Sequence, residues 1–247
     1  MTIHFLQEIQ YKMPTIKISL YQKDLHKKFS NDQIQKIASQ RANFLLLPEG
    51  FPHFFKASSN NQAANHEKEY QDHLLEISEV YQGVIMGGSH YRKNAEGKLV
   101  SSSPIVQSLV IVDFYDKKNL SHSEKDLQKG DTESIFIMGG LRFGILIGED
   151  INDKSIWEEF KKEEIEVIFH LSGENSGRTY EEDLDYFSNL SKETKTHIIR
   201  VCGLTEGKPA RSLYASPSGI NWKVGKSEEE TEVFKTLSVT VRGNFFL

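Results

Sequence analysis

The feature that most constrains this chain is a set of short segments that are apolar at nearly every position and then stop. They are NFLLLP (43–48), VIMGG (84–88), the ILI of RFGILIGED (142–150), IEVIFHL (165–171) and HIIRVCGL (197–204). A strand with one face in water alternates apolar and polar residues. A run that is apolar throughout is covered on both faces, as in a sheet flanked by helices. The intervening segments carry the helical period. Ser30 or Asn31 caps a stretch in which Ile34, Ile37, Ala38 and Ala42 share a face. From His66 to Gln82, Tyr70, Leu74, Ile77 and Tyr81 do the same, and Gly83 is expected to end that helix. Residues 153–164 and 180–196 are also expected to be helical. TIKISL (15–20), SLYAS (212–216) and TLSVTV (236–241) read as further strands. PIVQSLVIVDFYD (104–116) and ESIFIM (133–138) read as paired strands, with Gly139-Gly140 turning the chain into LRFGILI. The alternation predicts an α/β fold with buried sheets. With no long linker, repeat or low-complexity tract, one domain over 1–247 is expected.

Composition narrows the partners. A net charge of -5 gives no basic face for nucleic acid. The acidic run KSEEETE (226–232) reads as a solvated loop. No stretch approaches the roughly 20 apolar residues of a membrane span. MTIHFLQEIQYKMP lacks the uninterrupted apolar centre of a signal peptide. Cys202 is the sole cysteine, so no intrachain disulfide can form, which suits a reducing cytoplasm.

Charged residues at strand ends carry the candidate chemistry. Glu49 follows FLLLP, where burial would raise its pKa and suit it to act as a general base. Lys117, in FYDKKNL, follows a long apolar strand, where an ammonium could stabilise an oxyanion. Glu124, seven residues on, could hold that lysine. Taken singly, each also reads as a capping or solvated charge. The third feature is the turn after Ile145-Leu146-Ile147. A sharp strand-to-helix turn is where α/β enzymes often place a nucleophile, and here it carries Gly148.

Taken in order, these segments resemble the carbon–nitrogen hydrolase (nitrilase) superfamily over nearly the whole chain. LLLPEGF (45–51) looks like the motif around the family's general-base glutamate, and VIMGGS (84–89) like the strand and glycine pair after it. FYDKKNL (114–120) has the spacing around the catalytic lysine, which assigns that role to Lys117 rather than Lys118. HSEKDLQKGD (122–131) resembles the segment of the supporting glutamate, here Glu124. RFGILIGED resembles the nucleophile motif, and ARSLYASPSG (210–219) the late serine and proline–glycine signature. The resemblance implies a four-layer α-β-β-α sandwich, usually a homodimer. It also implies hydrolysis of amides, nitriles or carbamoyl compounds through a thioester, with no metal or organic cofactor. Phe245 and Phe246 near the C-terminus are expected to be exposed and to favour assembly.

Gly148 stands where the family's cysteine is expected, and its surroundings depart from the pattern too. The aromatic after the nucleophile is Glu149, a further negative charge for the pocket. Asn152, Lys154 and Ser155 replace the usual arginine and proline–glutamate, and LVSSSPIV lacks the asparagine often found before the central strand. Cys202 lies mid-strand and reads as a small buried hydrophobe. Ser172 lies at a strand end and is expected to line the pocket, but as a nucleophile it would need a base within reach. His170, two residues earlier, reads as a core or rim histidine. Losing a nucleophile from a preorganised site costs about a million-fold in turnover. An enzyme of about 10 per second would then manage about one event a day. The sequence therefore points to a pseudoenzyme binding a small amide- or carboxylate-bearing ligand or a partner protein. A hydrolase using activated water or another nucleophile, and a structural oligomer subunit, are the alternatives.

Overall fold

The computed structural model describes residues 14–53, 57–122, 124–173 and 177–242; the expectations about Phe245 and Phe246 fall outside them. The first half runs β1 (Thr15–Gln22), α1 (Asn31–Ser39), β2 (Phe44–Leu47), α2 (Asn60–Ala64), α3 (Glu67–Ser78), β3 (Val84–Gly87), β4 (His90–Lys93), β5 (Leu99–Gln107) and β6 (Val110–Asp116). The second runs β7 (Ile135–Met138), β8 (Leu141–Ile147), α4 (Lys154–Lys162), β9 (Val167–Ser172), α5 (Tyr180–Thr194), β10 (His197–Cys202), β11 (Leu213–Ser216), β12 (Gly219–Lys223) and β13 (Val233–Thr240).

These strands form two sheets. In the seven-stranded one, β13, β1, β2, β3 and β5 lie side by side, and β4 and β6 both pair with β5. Ser102 of β5 pairs with His90 of β4 and with Asp116 of β6, so those two strands flank it. The six-stranded sheet has the order β12-β11-β10-β9-β8-β7, with β8, β9 and β10 parallel. Alternate residues of each buried strand face opposite ways, as the two-residue period demands. Phe44 and Leu46 of β2 meet Phe143, Ile145 and Ile147 of β8 and Phe169 of β9 between the sheets. The Phe44, Phe143 and Phe169 rings touch at 4.9–5.3 Å between centroids. Leu45 and Leu47 turn outward to Ile34 and Ile37 of α1 and Leu74 and Ile77 of α3. Leu146, Ile168 and Ile198 turn the other way, to Ile156 and Phe160 of α4 and Phe187 of α5. The result is the expected α-β-β-α sandwich.

Local chemistry accounts for the element ends, and for three departures. Ser30 caps α1, its Oγ accepting from the Gln33 N–H while Gln33 Oε1 accepts from the Ser30 N–H. The helix expected to reach Gln82 stops at Ser78; Tyr81 lies beyond its end, buried, with its hydroxyl donating to Ala42 O at 2.9 Å. Gly83 is therefore no helix cap; a Cβ there would lie 2.5 Å from Ala42 O. Residues 104–116 are not one strand paired with 133–138. They are halves of the β5–β6 hairpin, turned at Ser108 and Leu109, both with positive φ, while β7 pairs with β8 in the other sheet. β4, β12 and α2 carry too little periodicity to be read from sequence. No helix among the described residues is long and apolar enough to cross a membrane.

Candidate functional site

Three buried strands deliver their C-terminal ends to one place, where open α/β sheets commonly hold their ligands. Glu49 follows β2 by two residues, Gly148 directly follows β8, and Gly173 directly follows β9. Lys117 comes from the end of β6. Its backbone is held on both sides: its N–H donates to Ser101 O at 2.8 Å, and its carbonyl accepts from the Gly130 N–H at 2.8 Å. The preceding Asp116 is gripped by two bonds from Arg92, at 2.9 and 3.0 Å.

The three expected charges meet. Lys117 Nζ donates to Glu49 Oε1 at 2.7 Å and to Glu124 Oε2 at 2.8 Å. Glu124 also accepts from the Ser121 N–H at 2.8 Å, and the second oxygen of Glu49 accepts from the Gly173 N–H at 2.9 Å. The lysine side chain is only 3% exposed. Burial raises the Glu49 carboxyl above its ordinary range, and the charge and hydrogen bond of Lys117 only partly offset this. Burial alone would lower Lys117, but the two carboxylates outweigh it and hold the ammonium above its usual value. With both acids ionised the triad carries a net charge of about −1, so the lysine is a firm donor and Glu49 the readiest proton acceptor.

Gly148 sits against this triad with φ +51, in the left-handed region that favours glycine. A Cβ added there would fall 2.7 and 2.8 Å from the Glu49 carboxylate oxygens. Glu49 therefore crowds the side of Gly148 on which a side chain would project. Glu149 accepts from Asn152 Nδ2 at 2.7 Å. Together with Asn119, Ser121, His122, Asn152 and Asp153 it lines a pocket of about 400 Å³. The expectation that Ser172 lines the pocket beside the triad meets a different geometry: its Oγ accepts from Arg200 Nη2 at 3.4 Å, and the next residue, Gly173, reaches Glu49. Cys202 is buried in β10, its N–H donating to Ser212 Oγ. Among the described residues no group of three or more His, Cys, Asp or Glu side chains is placed to hold a metal.

Sequence reading passed over two contributors. Asp150, fully buried, accepts from Tyr115 Oη (2.8 Å), from the Lys118 and Asn119 N–H groups (3.1 and 2.6 Å) and from the Ile147 N–H (3.2 Å). It therefore ties the segment after Lys117 to the turn at Gly148; its burial raises its pKa to about 6. Its only signal was its place two residues after Gly148, at the end of RFGILIGED. Tyr91 of β4 lies within electrostatic reach of the triad, its hydroxyl pushed up to about 12 by burial and then by Glu124 and Glu49. Nothing in the HYRK segment marked it.

Fold and site together define an α-β-β-α protein of the carbon–nitrogen hydrolase (nitrilase-superfamily) fold. Solved structures support this: a cysteine-to-alanine mutant of the amidase from Nesterenkonia sp. AN1, in complex with butyramide, superposes with a TM-score of 0.75 at 13% identity, over 91% of both chains. Nit3 of Saccharomyces cerevisiae, from branch 10 of the nitrilase superfamily, gives 0.71 at 16% identity over 92% of this chain and 90% of its own. The glutamine-dependent NAD+ synthetase of Acinetobacter baumannii gives 0.74 at 18% identity over 91% of this chain, which spans only 45% of that one. No family model and no curated protein matches the sequence.

Proposed function

We propose that this chain is a nitrilase-fold pseudoenzyme that uses the Glu49–Lys117–Glu124 site to hold a small neutral amide without cleaving it. The observation that carries the reading is the closeness of the Glu49 carboxylate to Gly148: its oxygens lie 2.7 and 2.8 Å from where the first side-chain atom of residue 148 would stand. In that arrangement the general base is pinned against a turn that offers no thiol or hydroxyl. The neighbouring pocket of about 400 Å³, whose lining includes none of the three triad residues, favours an amide over a carboxylate. Glu149 and Asp153 line it, and Asp153 is held down at about 2 by hydrogen bonds from Ser155 and Asn119, so it is ionised at neutral pH. The butyramide complex of the cysteine-to-alanine mutant of the Nesterenkonia amidase supports the choice of ligand class.

A second reading, hydrolysis by water that Glu49 activates, draws on the raised pKa of that carboxyl. Ammonia release from a panel of amides, nitriles and N-carbamoyl compounds separates the two. No release above background is expected; steady release that disappears in Glu49→Ala would replace binding with hydrolysis. In titrations, butyramide is expected to bind and butyrate to bind at least ten-fold more weakly, and Lys117→Ala to weaken butyramide at least ten-fold. No binding of any panel member would favour a subunit that assembles with its own copies or a partner protein.

A further inference from the structure

We infer, on the basis of the binding function proposed above, that Tyr91 extends the site and narrows its ligand. Its hydroxyl donates to the far end of the bound molecule, which is a neutral amide carrying a second neutral acceptor, such as a diamide.

The register of the sheet aims this side chain. Tyr91 of β4 pairs with Ser101 of β5. On the other side of β5, Ser102 pairs with Asp116 of β6, so Lys117 comes next, opposite Ser101, and its N–H donates to Ser101 O at 2.8 Å. Tyr91, Ser101 and Lys117 therefore stand in one row across the sheet, and residues directly opposite one another in antiparallel strands point to the same face. Tyr115, two residues before Lys117, shows which face this is, because it packs in the core between the sheets. Arg92 takes the opposite face, where it bonds Asp116. Tyr91 thus lies on the triad's own side of the sheet, two strands from the lysine. The charges that reach its hydroxyl agree with this placement: Glu124, Glu49, Lys117 and Asp126.

Three of these neighbours are carboxylates, yet the hydroxyl makes no hydrogen bond among the described residues. It is not one of the sealed, partnerless polar atoms of the interior either, so it is open to solvent. Burial first, then Glu124 and Glu49, push its pKa up to about 12, so it keeps its proton at neutral pH and is a donor. Adjacent strands lie about 4.8 Å apart, which puts the backbones of Tyr91 and Lys117 about 10 Å from each other. With each hydrogen bond taking about 2.8 Å, one ligand reaching both donors needs acceptors about 5–8 Å apart. Succinamide, two amides joined by two methylenes, can span that gap. A carboxylate at the far end would face Glu124, Glu49 and Asp126, so the second acceptor is a neutral one.

Titration calorimetry on the full chain tests this with three probes of one length. Succinamide is butyramide with an amide in place of the terminal methyl, and succinamate carries a carboxylate there. Wild type should bind succinamide about five-fold more tightly than butyramide, the worth of one neutral hydrogen bond, and succinamate more weakly than butyramide. In Tyr91→Phe, which keeps the ring, the ratio of succinamide to butyramide affinity should fall to about one. Tyr91→Met should give the same ratio and serves if the first variant fails to fold. A tyrosine with a merely structural role would shift both affinities together and leave the ratio as it was. An unchanged ratio in a folded variant, or a wild type that binds succinamide no better than butyramide, would overturn the inference and leave the binding function standing. If wild type binds neither amide, the binding function itself fails, and the role of Tyr91 fails with it.

Discussion

Gly148→Ala puts the contact between the turn and Glu49 to a quantitative test. The new Cβ would meet the two carboxylate oxygens at 2.7 and 2.8 Å, closer than real Cβ atoms come to such atoms. Glu49 is the far end of a flexible side chain, but it is not free to swing, being held by Lys117 at 2.7 Å and the Gly173 N–H at 2.9 Å. Moving it loses about one charge-assisted hydrogen bond, about 1.5–3 kcal/mol. A non-glycine residue at φ +51 adds about 1–2 kcal/mol. The sum is about 2.5–5 kcal/mol. In a chain of this size each kcal/mol lowers Tm by about 2–4 °C, so melting should fall by about 5–20 °C. The control is the same substitution in a Glu49→Ala background, where only the backbone strain of about 1–2 kcal/mol remains. Urea titrations of the four proteins should therefore give a coupling energy of about 1.5–3 kcal/mol. An alanine that costs the same in both backgrounds would show that Glu49 does not press on residue 148. Gly148→Cys meets the same obstruction, so replacing the missing thiol should not by itself produce rapid hydrolysis.

Lys117→Met leaves two buried carboxylates facing each other and should cost about 3–5 kcal/mol in urea titration; a loss below about 1 kcal/mol would mean that the triad is solvated. Asp150 has a carboxyl raised from 3.8 to about 6 by burial, so the folded state keeps its proton to higher pH than the unfolded chain does. Its contribution is full below about pH 4 and is lost as the pH rises to about 6, a fall of about 3 kcal/mol. Wild type should lose that much relative to Asp150→Asn over this interval, and a gap independent of pH would contradict the assignment. Light scattering at micromolar concentration should give twice the 28.3 kDa mass of one chain, and the monomer mass would exclude the proposed homodimer.

The parts of the fold legible in the sequence are those fixed by burial on both faces. β2, β8, β9 and β10 are apolar enough that only a covered sheet accommodates them, and α1 shows its capping residue and, through Ile34 and Ile37, its apolar face, although Ala42 lies beyond its end at Ser39. The β5–β6 hairpin was not legible because its turn uses Ser108 and Leu109, which take positive φ without the glycine that usually announces it. By period alone Tyr81 belongs to a helix face; in the fold it lies past the helix end, its hydroxyl bonded to Ala42, 39 residues earlier in the chain.

The candidate site divides along the same line. Glu49, Lys117 and Glu124 are side chains at strand ends or in the loop beyond, and their order along the chain made them visible before any contact was known. The contacts that give the site its character are made by backbone and by distant partners. The Gly173 N–H reaches Glu49 across 124 residues of sequence, and the Gly148 carbonyl reaches His170 across 22. A peptide group has no residue type to reveal it, and His170 reads equally well as core until its partner is seen. Glycine at 148 gave the opposite impression, that of an emptied place. Instead the Glu49 carboxylate stands 2.7–2.8 Å from where a Cβ would be, which no single-residue reading of a glycine could have disclosed.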